Sequence, residues 1–173
     1  MTMYNNNRKL IIITILFYFV LFVNSFPHQN YSIDQNVNFE FKISFIHNLI
    51  KSNGWTCKDV VRYFMDRVVK YDPKLHTIIS YNPKAYLRAQ ELDEYYETNN
   101  KSFMGKLHCI PMFIKDNIDI AGMPNTAGLE ELRYSIPNKN SLVIDRLNKE
   151  GAVYLAKANM AQLATGFLLS SEL

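Results

Sequence analysis

Apolar residues recur at helical spacing in five stretches of the chain, which predict helices over residues 41–52, 57–71, 84–98, 141–149 and, after Asn159 as a cap, 160–164. Gly54 follows the first stretch and is a helix-stop signal. Thr56, with Asp59 three residues later, resembles a capping box and predicts the start of the second helix. Asp72-Pro73 predicts the end of that helix, because the residue before a proline disfavours helical geometry.

Runs rich in β-branched and apolar residues predict three strands, over residues 76–81, 109–114 and 152–156. The second strand lies within residues 105–124, where the apolar run 109–114 is followed by Lys115 and then by Asp116-Asn117. A long loop, residues 117–140, follows it. Because strands alternate with helices, the chain is predicted to be an α/β protein with an at least partly parallel sheet.

Two lysines, Lys115 and Lys157, each end a predicted strand. A lysine at the end of a buried strand must be solvated, paired or neutralised. Since ligands of open α/β sheets bind at the carboxyl ends of the strands, one hypothesis is that both lysines face one crevice at that edge. The alternative for Lys115 is a side chain that extends into solvent beside a turn.

The first 25 residues have the pattern of a secretory signal peptide. Arg8 and Lys9 precede the apolar run 10–23, and Val23-Asn24-Ser25 supplies a cleavage site before residue 26. The run is shorter than the roughly 20 residues of a membrane-spanning helix, so an uncleaved anchor is the less favoured alternative and the only predicted route to a membrane. Residues 26–40 have no clear period and are interpreted as a flexible arm. The chain is thus expected to be secreted or to reside in the lumen of the secretory pathway.

The positive charge of the chain belongs largely to this leader. The full sequence has 19 basic and 16 acidic residues, a net charge of +3. Removing residues 1–25 takes away Arg8 and Lys9 and leaves a net charge of +1. No basic patch with interleaved aromatic residues remains, so the sequence does not predict a nucleic-acid partner.

The sequence contains two sequons and two cysteines, which bear on glycosylation and on disulfide or metal binding. Asn30 and Asn100 each begin an Asn-x-Ser motif and are candidate N-glycosylation sites in a secreted chain. Cys57 and Cys109 are too few for a disulfide scaffold. Whether they pair is left open by the sequence, with two unrelated buried thiols favoured over a bond. The four histidines and two cysteines have no metal-ligand spacing, so no metal site is predicted.

Several motifs occur in a fixed order and carry a resemblance to a known family. They are Tyr71-Asp72-Pro73-Lys74-Leu75-His76, Asn82-Pro83-x-Ala85, Gly105-x-Leu107-His108-x-Ile110-Pro111, Lys115-Asp116-Asn117-Ile118, Thr126-Ala127-Gly128, Glu150-Gly151-Ala152-Val153 and Lys157-x-Asn159-Met160. In this order they resemble the amino-terminal part of the amidase signature family. That family includes amidases, fatty acid amide hydrolases and the A subunit of glutamyl-tRNA(Gln) amidotransferase. The resemblance covers residues 41–164, which are interpreted as a partial amidase domain.

The resemblance implies a mixed sheet covered by helices, here incomplete, and hydrolysis of carbon–nitrogen amide bonds by a Ser–cis-Ser–Lys triad without a cofactor. Lys115 matches the catalytic lysine, the general base and acid of the triad. Burial at the end of an apolar strand would favour the neutral amine that a base requires. Lys157 is not carried over as catalytic and is expected to pair with a carboxylate or with backbone carbonyls. The implied substrate is a small-molecule amide.

Departures from the family pattern accompany the resemblance. The two family serines lie in segments that have no match here, and Ser170-Ser171 is interpreted as part of a divergent tail, residues 165–173. Cys109 stands where the family has glycine, at a close-packed backbone position. A base without its nucleophile and oxyanion hole cannot carry out acyl transfer.

Three hypotheses follow from these observations. The favoured one is a truncated or degenerate secreted amidase relative that is inactive alone. The second is one part of a split amidase that is completed by another chain. The third is a small secreted binding protein that reuses the half-fold.

Overall fold

The computed structural model describes residues 41–165. Four helices, α1 to α4, cover Ile43–Ser52, Cys57–Leu75, Ala85–Thr98 and Leu142–Lys149. Three strands, β1 to β3, cover Ile78–Tyr81, Pro111–Lys115 and Val153–Ala158, and short 3-10 turns lie at Glu130–Leu132 and Gln162–Ala164. The leader, the arm and residues 166–173 of the tail lie outside the described residues. Within residues 41–165, no helix is long and apolar enough to cross a membrane.

The three strands form a mixed sheet in the order β1-β3-β2. β3 pairs parallel with β2 and antiparallel with β1. The residues of the central strand β3 are buried from Val153 to Lys157, as is typical of a strand covered on both faces. The predicted mixed α/β sheet is therefore confirmed.

Helix α2 begins as the sequence predicts and ends later. The Thr56 side chain accepts a hydrogen bond from the backbone N–H of Asp59, and the Asp59 carboxylate accepts one from the backbone N–H of Thr56, so the capping box is complete. The helix then continues through Pro73 to Leu75, past the predicted end at residue 71. The predicted end was wrong. The helix ends at His76, which adopts the left-handed conformation (φ 50°), and the backbone N–H of His76 donates a hydrogen bond to the Asp72 carbonyl. The Asp72 carboxylate also accepts hydrogen bonds from the backbone and hydroxyl of Thr77, which stabilises this last turn.

One face of the sheet is covered by α4 and by the chain that follows β2. The apolar cluster there contains Ile114, Ile120, Met123, Ile144, Ala152 and Tyr154. The Tyr154 hydroxyl donates to the carbonyl of Ile144 at 3.0 Å, which ties β3 to α4. Burial raises the pKa of Tyr154 to about 12, so this donor keeps its proton throughout the neutral range.

Helices α2 and α3 pack against each other and against β3. The entry to β2 is held close to the turn that follows α4. Gly151 has a φ of +84°, and a Cβ atom there would lie 2.8 Å from the Cα of His108, so only glycine fits. The backbone N–H of Cys109 donates to the Gly151 carbonyl at 2.9 Å.

The predicted helix over residues 160–164 is not formed. A 3-10 turn covers Gln162–Ala164, and Leu163 inside it has a positive φ of 50°. The Asn159 side chain donates to the His76 carbonyl and its oxygen accepts from Met160 N–H. Asn159 thus links the end of β3 to the end of α2, instead of capping a helix.

Candidate functional site

Lys115 is the last residue of β2, and its side chain is exposed. Its backbone pairs with Ala158 of β3. Among residues 41–165, its ammonium group has no hydrogen-bond or ion-pair partner. The prediction that a strand ends at Lys115 and opens into a loop is confirmed. The side chain of Lys115 was expected to be buried, but within residues 41–165 it is exposed.

Lys115 lies on a face of the sheet that residues 41–165 leave partly uncovered, here called the open face. Phe113, two residues before Lys115 on β2, is 47% exposed, and Tyr81 of β1 is 50% exposed. Both residues pair with Ala156 of β3, whose small side chain lies between them. The open face therefore combines the exposed rings of Phe113 and Tyr81 with the Lys115 ammonium group, which has no partner within residues 41–165.

β2 is also the edge of the sheet within the described residues, since β3 is its only neighbour there. An edge strand presents unpaired backbone N–H and C=O groups to whatever adds to it. The open face and this free edge meet at Phe113 and Lys115.

Lys157 lies on the opposite face of the sheet from Lys115, so the hypothesis that both lysines face one crevice was wrong. The register pairs Lys157 with the buried Ile114, whereas Lys115 pairs with Ala158. Residues paired across a sheet share a face, and consecutive residues alternate. An irregularity in the register between Met112 and Phe113 sets this arrangement, because Leu155 has no partner on β2.

The predicted structural role of Lys157 is confirmed. Its side chain is 0% exposed. Its Nζ donates to the backbone carbonyls of Asp116 at 2.7 Å and Pro124 at 2.9 Å, and lies 3.7 Å from Oδ1 of Asp116. Burial lowers the pKa of Lys157, and the nearby carboxylate of Asp116 opposes that shift. These contacts hold the chain that leaves Lys115 against β3.

Asp116 organises the loop beyond Lys115, a role that the sequence analysis did not identify. It is fully buried, and its Oδ2 accepts hydrogen bonds from the Thr126 N–H at 3.0 Å and from the Thr126 hydroxyl at 2.7 Å. The Gly128 N–H donates to the Thr126 hydroxyl oxygen at 3.1 Å. The sequence did contain a signal for this role, namely an aspartate directly after the strand and a Thr-Ala-Gly segment ten residues later. The carboxylate, the turn and Lys157 together form the buried lock of Asp116, Thr126 and Lys157.

Cys57 and Cys109 form a disulfide, with their Cα atoms 5.2 Å apart. The expectation of two unrelated thiols was therefore wrong. The sequence analysis missed this bond because the two cysteines lie 52 positions apart in the chain, and only the fold brings the start of α2 beside the entry to β2.

His108 lies beside the disulfide and completes a buried group of two sulfurs and one imidazole. Its Nδ1 accepts a hydrogen bond from the Met104 N–H at 3.2 Å, which assigns the proton of the neutral ring to Nε2. Neither nitrogen then has a free lone pair, and the sulfurs are bonded to each other. This group is unsuited to hold a metal ion while the disulfide is intact.

Protonation of His108 is expected to destabilise the fold in mild acid. Burial, followed by the nearby His47 and Arg88, lowers the pKa of His108 from 6.5 to about 4. Between these values the unfolded chain binds the proton more readily, so stability falls as the pH drops from 6.5 towards 4. We expect a loss of about 2–3 kcal/mol over this window, measured by urea unfolding at stepped pH.

The control for this prediction is His108→Asn, whose amide oxygen replaces the acceptor for Met104 without titrating. This variant should show a flatter profile between pH 6.5 and 4. Equal slopes for the variant and the wild-type chain would contradict the assignment to His108.

The other predicted site residues are the glycosylation candidates Asn30 and Asn100. Asn100 lies in the exposed turn after α3, and Ser102 of its sequon is exposed as well. Asn30, Ser170 and Ser171 lie outside the described residues. A cavity of about 250 Å³ between α3, the loop after β2 and Tyr154 does not include Lys115 among its lining residues.

Comparisons with known proteins agree on one family. The family model described as Amidase matches residues 59–172. The A subunit of glutamyl-tRNA(Gln) amidotransferase from Exiguobacterium sibiricum is 30% identical over 128 residues, which cover 74% of this chain and 26% of that protein. Its counterpart from Staphylococcus aureus is 36% identical over 119 residues, 68% of this chain and 24% of that protein.

Among solved structures, the native peptide amidase from Stenotrophomonas maltophilia superposes with a TM-score of 0.67 at 27% identity, over 73% of this chain and 26% of that one. This chain thus spans about a quarter of the length of the relatives that it matches. The family-model match, the sequence relatives and the shared fold lead to one conclusion: the chain belongs to the amidase signature family.

Proposed function

We propose that this chain forms the lysine-bearing part of an amide-hydrolysing domain, with Lys115 as its general base and acid. The observation that carries the proposal is the position of Lys115, at the carboxyl end of β2, exposed on the open face and without a partner in residues 41–165. The buried lock behind it holds the backbone of Asp116 against β3. A reacting group on a fixed strand end, with its amine free, is suited to proton transfer.

The proposed site needs further protein to work. A lysine acts as a base only after it loses its proton, and removal of water from its surroundings favours that loss. Within residues 41–165, the exposed amine of Lys115 lacks such a cover, and the relatives are about four times as long as the matched segment. We therefore propose that the 173-residue chain is inactive by itself and that additional amidase segments complete the site.

The open face and the edge of β2 are the proposed contacts for those segments. Phe113 and Tyr81 offer apolar surface, and the edge strand offers backbone hydrogen bonds. The amidotransferase relatives are named as subunits of a larger enzyme, which supports completion by a separate chain as one arrangement. The substrate class proposed for the completed site is a small-molecule amide.

The test of this function is amide hydrolysis by the purified chain, together with labelling by a serine-reactive fluorophosphonate. Neither turnover nor labelling is expected from the chain alone. Turnover accompanied by labelling at Ser170 or Ser171 would show a nucleophile within this chain and contradict the proposal.

We also propose that the chain enters the secretory pathway and carries a glycan at Asn100. The exposed turn that holds its sequon supports access by a transferase. Expressed from its own start codon in a eukaryotic secretory host, the chain should appear in the medium with residue 26 at its amino terminus. Its gel mobility should increase with an N-glycosidase, and Asn100→Gln should reduce that shift by the contribution of one glycan. A chain retained in the cytosol without a glycan would contradict this proposal.

A further inference from the structure

Cys109 occupies a backbone position that is unfavourable for any residue with a side chain. Its φ is 62°, in the left-handed region where glycine is preferred. The residue is fully buried, so contact of its side chain with solvent does not stabilise this conformation. A covalent bond made by this side chain would offset part of the cost of that conformation.

The compensating interaction is the bond to Cys57. Cys57 is the first residue of α2, also fully buried, and its backbone N–H donates to Oδ1 of Asp93 on α3 at 2.6 Å. Cys109 is two residues before β2, and its N–H donates to the carbonyl of Gly151, which precedes β3. The disulfide therefore joins the helical layer of α2 and α3 to the strands that carry Lys115 and Lys157.

We propose that Cys57–Cys109 is a structural disulfide that this chain must acquire by oxidation, and that its stability therefore depends on the redox state of its compartment. Two thiols lose two protons and two electrons as the S–S bond forms. A disulfide-containing oxidant, such as glutathione disulfide or an oxidised dithiol oxidoreductase, is reduced to two thiols in the same exchange. Cytosolic thiols are generally kept reduced, so this proposal places folding in an oxidising compartment.

The inference stands apart from the proposed hydrolytic function. It uses none of the groups assigned to catalysis, and it would hold for an inactive chain. Burial of both sulfurs adds a kinetic consequence, because a reductant reaches them only after the α2–β2 junction opens. The disulfide should therefore resist dithiothreitol in the native protein and be reduced readily in denaturant.

The first measurement is a thiol count on the full chain expressed in a secretory host. Denatured protein should take up no maleimide before reduction and two equivalents after dithiothreitol in urea. Peptide mapping without reduction should recover one linked peptide pair containing both cysteines. Two reactive thiols before reduction, or a stoichiometric metal ion in the isolated protein, would overturn the proposal.

The second measurement is thermal unfolding with matched variants. Complete reduction should lower the Tm of the wild-type chain by about 10 °C, since the bond closes a loop of about 50 residues. The variants Cys57→Ser/Cys109→Gly and Cys57→Ser/Cys109→Ser should be insensitive to dithiothreitol. The glycine variant should melt above the serine variant, because it relieves the positive φ at residue 109.

Each alternative result has a defined meaning. A wild-type Tm that is unchanged by complete reduction would show that the bond does not stabilise the fold. That result would overturn the inference. A serine variant as stable as the glycine variant would show that residue 109 is not strained and would overturn the strain argument alone. The thiol count applies even where a variant fails to fold.

Discussion

Lys157→Met is expected to lower the free energy of unfolding by about 3–5 kcal/mol, the usual cost of removing one partner from a buried ion pair. The substitution keeps most of the side-chain volume but removes the donor for the carbonyls of Asp116 and Pro124. It also leaves the carboxylate of Asp116 buried without its cation. Since small domains are stable by only about 5–15 kcal/mol, the variant should be partly unfolded at 37 °C. Chemical unfolding monitored by circular dichroism measures the change.

A matched control is available on the surface of the same chain. Lys101 forms an ion pair with Glu97 that is largely exposed, and Lys101→Met should cost less than about 1 kcal/mol. In the double variant Asp116→Asn/Lys157→Met, the loss should be smaller than the sum of the two single losses, because the two groups interact. Similar costs for Lys157→Met and Lys101→Met would contradict the importance of the buried lock.

In a completed amidase domain, Lys115→Ala is expected to reduce kcat/KM by about 10²–10⁴, the usual contribution of a general base. The completed domain would join residues 41–165 of this chain to the remaining three quarters of the Stenotrophomonas maltophilia peptide amidase, whose corresponding segment has the same fold. Fluorophosphonate labelling should slow in the variant as well, because the nucleophile would lose its base. Hydrolysis of a peptide amide provides the rate.

A measurement of the free energy of unfolding distinguishes a catalytic role for Lys115 from a structural one. Because its side chain makes no hydrogen bond or ion pair within residues 41–165, Lys115→Ala in the isolated chain should change the free energy of unfolding by less than about 0.5 kcal/mol. Lys106→Ala, which removes another exposed lysine, should leave both activity and stability unchanged. A completed domain that keeps full activity after the Lys115→Ala substitution would refute the assignment of the base.

The elements that depend on local signals were predictable. The capping box of Thr56 and Asp59 located the start of α2 because its hydrogen bonds lie within four residues. The apolar run before Lys115 predicted β2, and the alternation of strands and helices predicted a mixed sheet. Local signals failed at the ends of elements, where competing caps decide the boundary, as at Pro73 and at residues 160–164.

By itself the sequence determined the family, the strand that carries Lys115 and a structural role for Lys157. Only the tertiary structure decided that the two lysines lie on opposite faces, because one unpaired residue in β3 changes which side chains share a face. The same holds for the bond between Cys57 and Cys109 and for the lock around Asp116. These features join segments that are distant along the chain, and their geometry depends on packing and register, which no local pattern of residues encodes.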